Sequence, residues 1–191
     1  MAARSAEQLS ARERLLAAAN ELFYEEGVNT VGIDRVIERA GVAKATLYSA
    51  FGSKDELIRA YLEQRYQTRR ERTMRAVDKF ETPRERLMAV FDALSESLSQ
   101  PNYHGCAFVN ASAEARPGSP IERAVDGCRG WLRELLTQLA EEAGAADPQQ
   151  LAWQLHLIYD GAAVSARMDH DPGAIFPARL AAEALISAAL D

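Results

Sequence analysis

The sequence predicts an all-α fold of about nine helices, and three observations carry that prediction. Apolar residues recur at helical spacing almost throughout. Glycine and proline punctuate the chain at helix-length intervals, and alternating Val/Ile runs with hairpin turns are absent. Hydrophobic residues make up 48% of the 191 and charged residues 26%, a balance that favours a packed core over disorder.

The elements follow in order. Leu15, Ala19, Leu22 and Phe23 keep the i, i+4, i+7, i+8 pattern; Ser10 with Glu13 makes a capping box and Gly27 a stop. Ile33, Val36, Ile37 and Ala40 form the next stripe, ended by Gly41. A short segment spans 43–50. Ser53-Lys54-Asp55-Glu56 is a second capping box, opening a stretch without Gly or Pro to about Phe80. Beyond it, helices are expected at 83–100, 107–115, 120–143, 148–168 and 174–190. Pro83, Pro120 and Pro148 sit at first turns, where a missing N–H costs little.

Charge placement says more than the net charge of −6, which by itself argues against a nucleic-acid partner. Residues 1–80 hold 14 Lys/Arg against 12 Asp/Glu, whereas residues 81–191 hold 8 against 16. No proline precedes Pro83. The two regions have different jobs. No uninterrupted apolar run approaches the roughly 18 residues of a membrane helix, and the N-terminus runs straight into charge, without a signal segment. No membrane partner and a cytoplasmic location are expected. Cys106 and Cys128 make neither a disulfide framework nor a metal-site spacing, so reduced thiols and no cofactor or metal are expected. Neither has a flanking Lys, and buried structural cysteine is the reading.

The two short helices joined by Gly41-Val42 carry the functional signal. With Leu47 inward, Ala43 and Phe51 fall near it, Ala45 and Ser49 lie opposite, and Thr46 and Tyr48 flank. Val42, Leu47 and Phe51 can then pack on Ile33, Val36 and Ile37. A face of small, hydroxyl and aromatic groups is left outside, with Lys44 at its edge. Such a face suits a helix-turn-helix whose second helix enters the major groove. Lys54 stands at the first turn of the next helix, poor dipole chemistry unless a phosphate sits close by.

Residues 30–57, TVGIDRVIERAGVAKATLYSAFGSKDEL, resemble the DNA-binding signature of TetR-family transcriptional regulators. The likeness rests on Ala40-Gly41-Val42, Lys44, Thr46-Leu47-Tyr48, Phe51 and Ser53 through Leu57, and covers about residues 10–60. It implies a homodimer with a three-helix reading head at 1–52 and a helical effector-binding and dimerisation domain at 53–191. It also implies double-stranded operator DNA and a small-molecule effector as partners, and action as a repressor released by that effector. Carried over by position, the DNA contacts fall on Lys44, Ala45, Thr46, Tyr48, Ser49 and Lys54. Tyr48 and Lys54 would hold phosphates; Ala45 and Ser49 would face base edges. Ala43, Gly32 and Ala50 depart from the Ser, Thr or Ser, and His or other polar residues frequent at those positions.

The acidic region should hold the effector site, and helical pockets are mostly apolar with a few convergent polar groups. His104, Asn110, His156 and Asp160 are the polar candidates. Phe91, Phe108, Trp131 and Tyr159 are the aromatic ones. For each taken singly, a core or surface role is the alternative. The last two helices are rich in alanine, which intramolecular packing explains as well as a dimer does; the resemblance implies a four-helix interface about a two-fold axis. Reading helices would then lie about 34 Å apart, or a multiple of it, on a near-palindromic site. The arginines at 65, 69, 70, 72 and 75 can be solvated, paired with Glu63 and Glu71 along the helix, or part of the positive field, and solvated pairing is the expectation. Two rivals stand beside this reading. One is an enzyme using His104, Cys106, Asn110 and Glu114, which lacks a nucleophile motif or phosphate loop; the other is a helical scaffold for a protein partner.

Overall fold

The computed structural model describes residues 9–190. The expectation of no signal segment falls on residues 1–8, outside those described. Among the described residues there are nine α-helices and no strand: α1 (Ala11–Glu26), α2 (Ile33–Ala40), α3 (Lys44–Phe51), α4 (Lys54–Val77), α5 (Pro83–Leu98), α6 (Ala107–Glu114), α7 (Pro120–Glu142), α8 (Pro148–Met168) and α9 (Ile175–Leu190).

The helix ends are chemically explicit. Ser10 Oγ accepts the Glu13 N–H while the Glu13 carboxylate accepts the Ser10 N–H, closing the reciprocal box at α1. Ser53 Oγ accepts the Glu56 N–H at 3.1 Å and opens α4. Thr82 and Asp147 cap α5 and α8 ahead of Pro83 and Pro148. α4 stops at Val77, three residues short of the expected end. α9 begins one residue late, because Asp171 caps a 3-10 turn at Pro172–Ala174.

The chain forms two compact units. The first comprises Met1–Arg65 with Ala107–Asp126; the second comprises Tyr66–Cys106 with Gly127–Asp191. In the first, α1, α2 and α3 pack pairwise around Leu15, Ala19, Leu22, Val36 and Leu47, all buried. The first half of α4 joins them: Phe23 meets Tyr61 edge-on at 5.8 Å, and Asn20 Nδ2 donates to Gln64 at 2.8 Å. In the second, α5, α8 and α9 pack on one another over a core including Phe91, Leu136, Leu155, Tyr159 and Ile186. At about 25 cal/mol per Å² of apolar area, these buried Leu, Phe and Ile side chains supply most of each unit's driving force.

One segment, Pro172–Leu190, has the length and mean hydropathy, 1.4, of a membrane-crossing helix. A search for uninterrupted apolar runs passes over it because Arg179 and Glu183 break it. Arg179 pairs with Asp92 of α5.

Candidate nucleic-acid interface

The reading face is built from the turn between α2 and α3. Gly41 takes φ +63, a left-handed conformation that glycine adopts without steric cost, and its N–H returns to the carbonyls of Ile37 and Glu38. That closes α2 and redirects the chain into α3. Leu47 is fully buried and Val36 beneath it likewise, so the rotation of α3 is fixed by its one inward apolar anchor. Arg14 of α1 braces the corner, its Nε donating to the Ala40 carbonyl at 3.1 Å, where a cation meets a helix C-terminus. Arg12 lies over the Phe51 ring at 4.7 Å.

Outside this anchor, Lys44, Ala45, Tyr48 and Ser49 are exposed and Thr46 is half-buried. Tyr48 keeps 45% of its surface in solvent, although large aromatics ordinarily bury. Ala43, the residue before α3, provides no side-chain cap. Lys44 is already engaged: its Nζ meets Asp34 at 2.9 Å, and that hydrogen bond and charge hold its pKa above the usual lysine value. Lys54, half-buried at the start of α4, is pushed below the usual value by burial, against the fields of Asp55 and Glu114. Asp34 and Glu114 are absent from the sequence-level site, since neither pairing has a signature at fixed spacing.

The second unit brings some of the effector candidates together. Phe91 and Tyr159 meet edge-on at 6.3 Å. His156 is buried, with Nε2 3.7 Å from Asp160, which itself accepts from Arg129 at 2.7 Å. Burial lowers the His156 pKa to about 4, outweighing Asp160, and Arg129, Arg133 and Arg69 push the same way. The imidazole is neutral at pH 7, and its Nδ1 is buried with no hydrogen-bond partner. Trp131 packs edge-on against Tyr66 at 5.7 Å, and His104 is half-buried. Phe108, buried, and Asn110, half-buried, lie on α6 and belong to the first unit.

Two expectations are corrected here. The arginines of α4 are not uniformly solvated. Arg65 stacks on Tyr24 at 3.8 Å, within the first unit. Arg69 donates to Cys106 Sγ at 3.0 Å and to Cys128 Sγ at 3.5 Å, with the Tyr159 ring 5.7 Å away. Arg75 pairs with Glu96 across to α5. The cysteines therefore do have a cationic neighbour, one supplied 37 and 59 residues away and invisible to a search of flanking positions. Burial still raises the Cys128 thiol to about 11, against Arg69, and the side chain stays a thiol.

Residues 15–61 match the bacterial regulatory proteins of the tetR family, and residues 83–182 match the tetracyclin repressor-like C-terminal domain. The chain belongs to the TetR family of transcriptional regulators. Regulators of this family bind operator DNA through a helix-turn-helix, act as dimers, and are typically ligand-responsive repressors. A crystal structure of a TetR-family transcriptional regulator from Streptomyces coelicolor superposes with a TM-score of 0.90 at 33% identity, covering 95% of this chain and 96% of that one. The HTH-type transcriptional regulator YjdC of Escherichia coli is 27% identical over 154 residues, 78% of this chain and 80% of YjdC. The HTH-type transcriptional repressor NemR of Escherichia coli is 29% identical over 168 residues, 82% of this chain and 84% of NemR. These relatives are regulators, not enzymes.

Proposed function

We propose that this TetR-family regulator is a repressor that grips its operator through Lys44, Ala45, Thr46, Tyr48, Ser49 and Lys54. A small-molecule effector bound by the second domain releases it. One observation carries the reading. α3 buries Leu47 completely and turns Ala45, Tyr48 and Ser49 outward, a face slim enough for the major groove, while Lys54 stands at the N-terminus of the next helix. The repressor relative supports the sign of regulation.

The functional division is 1–52 for reading and 53–191 for effector binding and dimerisation. The effector contacts proposed are Phe91, Trp131, His156, Tyr159 and Asp160, with His104; the proposal for Phe108 and Asn110 rests on the sequence alone. Residues of α8 and α9 supply the dimer interface, since Leu157, Met168, Phe176 and Leu180 leave 64–72% of their surfaces exposed. That apolar face explains the hydropathy of Pro172–Leu190 without a membrane, and the working location is the cytoplasm. Effector binding shifts the population between two arrangements of α4, whose first turn carries Lys54 and whose last turn holds Arg75, paired with Glu96 of α5.

The test is a binding titration against DNA upstream of the protein's own and adjacent genes, with Tyr48→Ala and Lys54→Ala variants. Removing either phosphate-holding side chain should weaken binding by about tenfold; loss of the Lys54 charge should also flatten the salt dependence by about one unit, whereas loss of the uncharged Tyr48 side chain should leave the slope unchanged. Dimerisation should be unchanged. Unaltered affinity in both variants would remove this face from the operator interface.

A further inference from the structure

Glu114, the last residue of α6, reaches into the head. Its Oε2 accepts the backbone N–H of Asn29 at 2.7 Å, and Asn29 Nδ2 points back to the Glu114 carbonyl at 3.4 Å. Gly27 approaches so closely that a Cβ there would lie 3.0 Å from Glu114 Oε1, and its φ of +94 is itself a conformation L side chains rarely adopt. These contacts span 85 residues of sequence yet lie within one compact unit, because Ala107–Asp126 packs with Met1–Arg65.

The contacts are aimed at the turn that launches α2. Val28 and Val31 are buried, Gly32 opens α2 without a side-chain cap, and Asn29 is the exposed residue between the valines that the carboxylate holds. A charge-assisted hydrogen bond to a backbone N–H is among the stronger local restraints available to a turn. The same carboxylate is one of two, with Asp55, whose field reaches the Lys54 ammonium.

The geometry points to Glu114 as a positioning residue for operator binding with two separable and opposed actions. Its oxygen holds the 27–32 turn in the register that starts α2, and its charge offsets Lys54 and reduces the pull of that lysine on a phosphate. This inference rests on the reading of Lys54 as a phosphate contact. The two actions part when the charge is removed and the acceptor kept. Glu114→Gln retains an oxygen for the Asn29 N–H and leaves Lys54 with Asp55 as its remaining carboxylate neighbour. Glu114→Ala removes both.

The experiment measures affinity for a duplex selected from a random-sequence pool by the wild-type protein, for Glu114→Gln, Glu114→Ala, Lys54→Ala and the Glu114→Gln/Lys54→Ala double variant. Thermal melting and oligomeric state are recorded for each. Glu114→Gln should tighten binding by about two- to fivefold, and Glu114→Ala should weaken it by about tenfold. In the Lys54→Ala background the gain from glutamine should vanish, as expected of two groups acting through each other. A purely structural carboxylate would lower affinity in both single variants, and that outcome, or no change in either, overturns the inference. A glutamine gain that survives Lys54→Ala overturns the charge action. If Glu114→Ala does not fold, the isosteric variant and its double decide alone. Failure to select any duplex, or a Lys54→Ala variant with full affinity, overturns the operator reading itself and the inference with it.

Discussion

The reading head, residues 9–52, and the second unit use the same residue types in opposite ways. In the head, three exposed cations pair with carboxylates: Arg35 with Glu26, Arg39 with Glu21 and Lys44 with Asp34, each cation more than half exposed. In the second unit, Arg69 lies against two thiols and a tyrosine ring, and the Arg72 and Arg133 Nε atoms are buried without hydrogen-bond partners. Exposed ion pairs contribute at most about 1 kcal/mol and exchange readily, so the head's charge remains available to an incoming polyanion. Half-buried guanidinium groups whose Nε atoms are out of reach of water are exchanged less cheaply, and they favour one packing of the second unit.

That contrast can be broken at its extremes. The largest effect is expected from Leu180→Glu, which puts charge on the exposed apolar face of α9 while leaving the core untouched. If that face joins two copies, dimers should dissociate and operator affinity should fall by about 10²- to 10⁴-fold through loss of bivalence. Sedimentation with a parallel DNA titration reads both. Retention of the dimer would place the interface elsewhere.

A middle-sized effect separates the units by pH. His156 is neutral in the folded chain, with a pKa of about 4 against the ordinary 6.5. The unfolded chain therefore takes up this proton first as pH falls. The stability that the neutral imidazole secures is complete above about 6.5 and is lost progressively towards 4, by at most about 1.4 kcal/mol per pH unit. Denaturant melts at pH 7 and pH 5 should show the loss, and His156→Gln should remove that part of it. An identical pH slope in the variant would assign the loss to other groups.

The smallest effect belongs to the head. Ala43 starts α3 with no side-chain hydrogen bond to its first turn. Ala43→Ser should add a cap worth about 1 kcal/mol, a rise of a few degrees in melting temperature, without any change in dimerisation. A calorimetric scan checks it, and an unchanged or lower midpoint would show that the first turn of α3 is satisfied in another way.

Legibility in the sequence followed the range of each signal. The Ser10/Glu13 box, the stops at Gly27 and Gly41, and the span of α8 are written in residues a few positions apart, and the observed bounds follow them closely. The outward set on α3 was equally readable, because a helix's angular order needs only 3.6 residues per turn. What pairs across long separations was not. Asp34 on Lys44, Glu114 on Asn29, and Arg69 on Cys106 and Cys128 depend on how helices pack, and no local spacing encodes them. The late start of α9 has a different origin. Asp171 and Pro172 make a good helix opening, and the chain uses it for a single 3-10 turn first.

The pairing of Lys44 with Asp34 bears on how the protein scans a chromosome. An ammonium that must leave a carboxylate before it can hold a phosphate gains less from any duplex than a free one would. If Lys44 is a DNA contact, grip on random sequence is weakened at every step of the search, and dwell time away from the target shortens. If the operator reading of α3 holds, the same cost falls on the target as on every other site, so the acid loosens both by the same factor and the distinction between them is left to the base-edge contacts of Ala45 and Ser49.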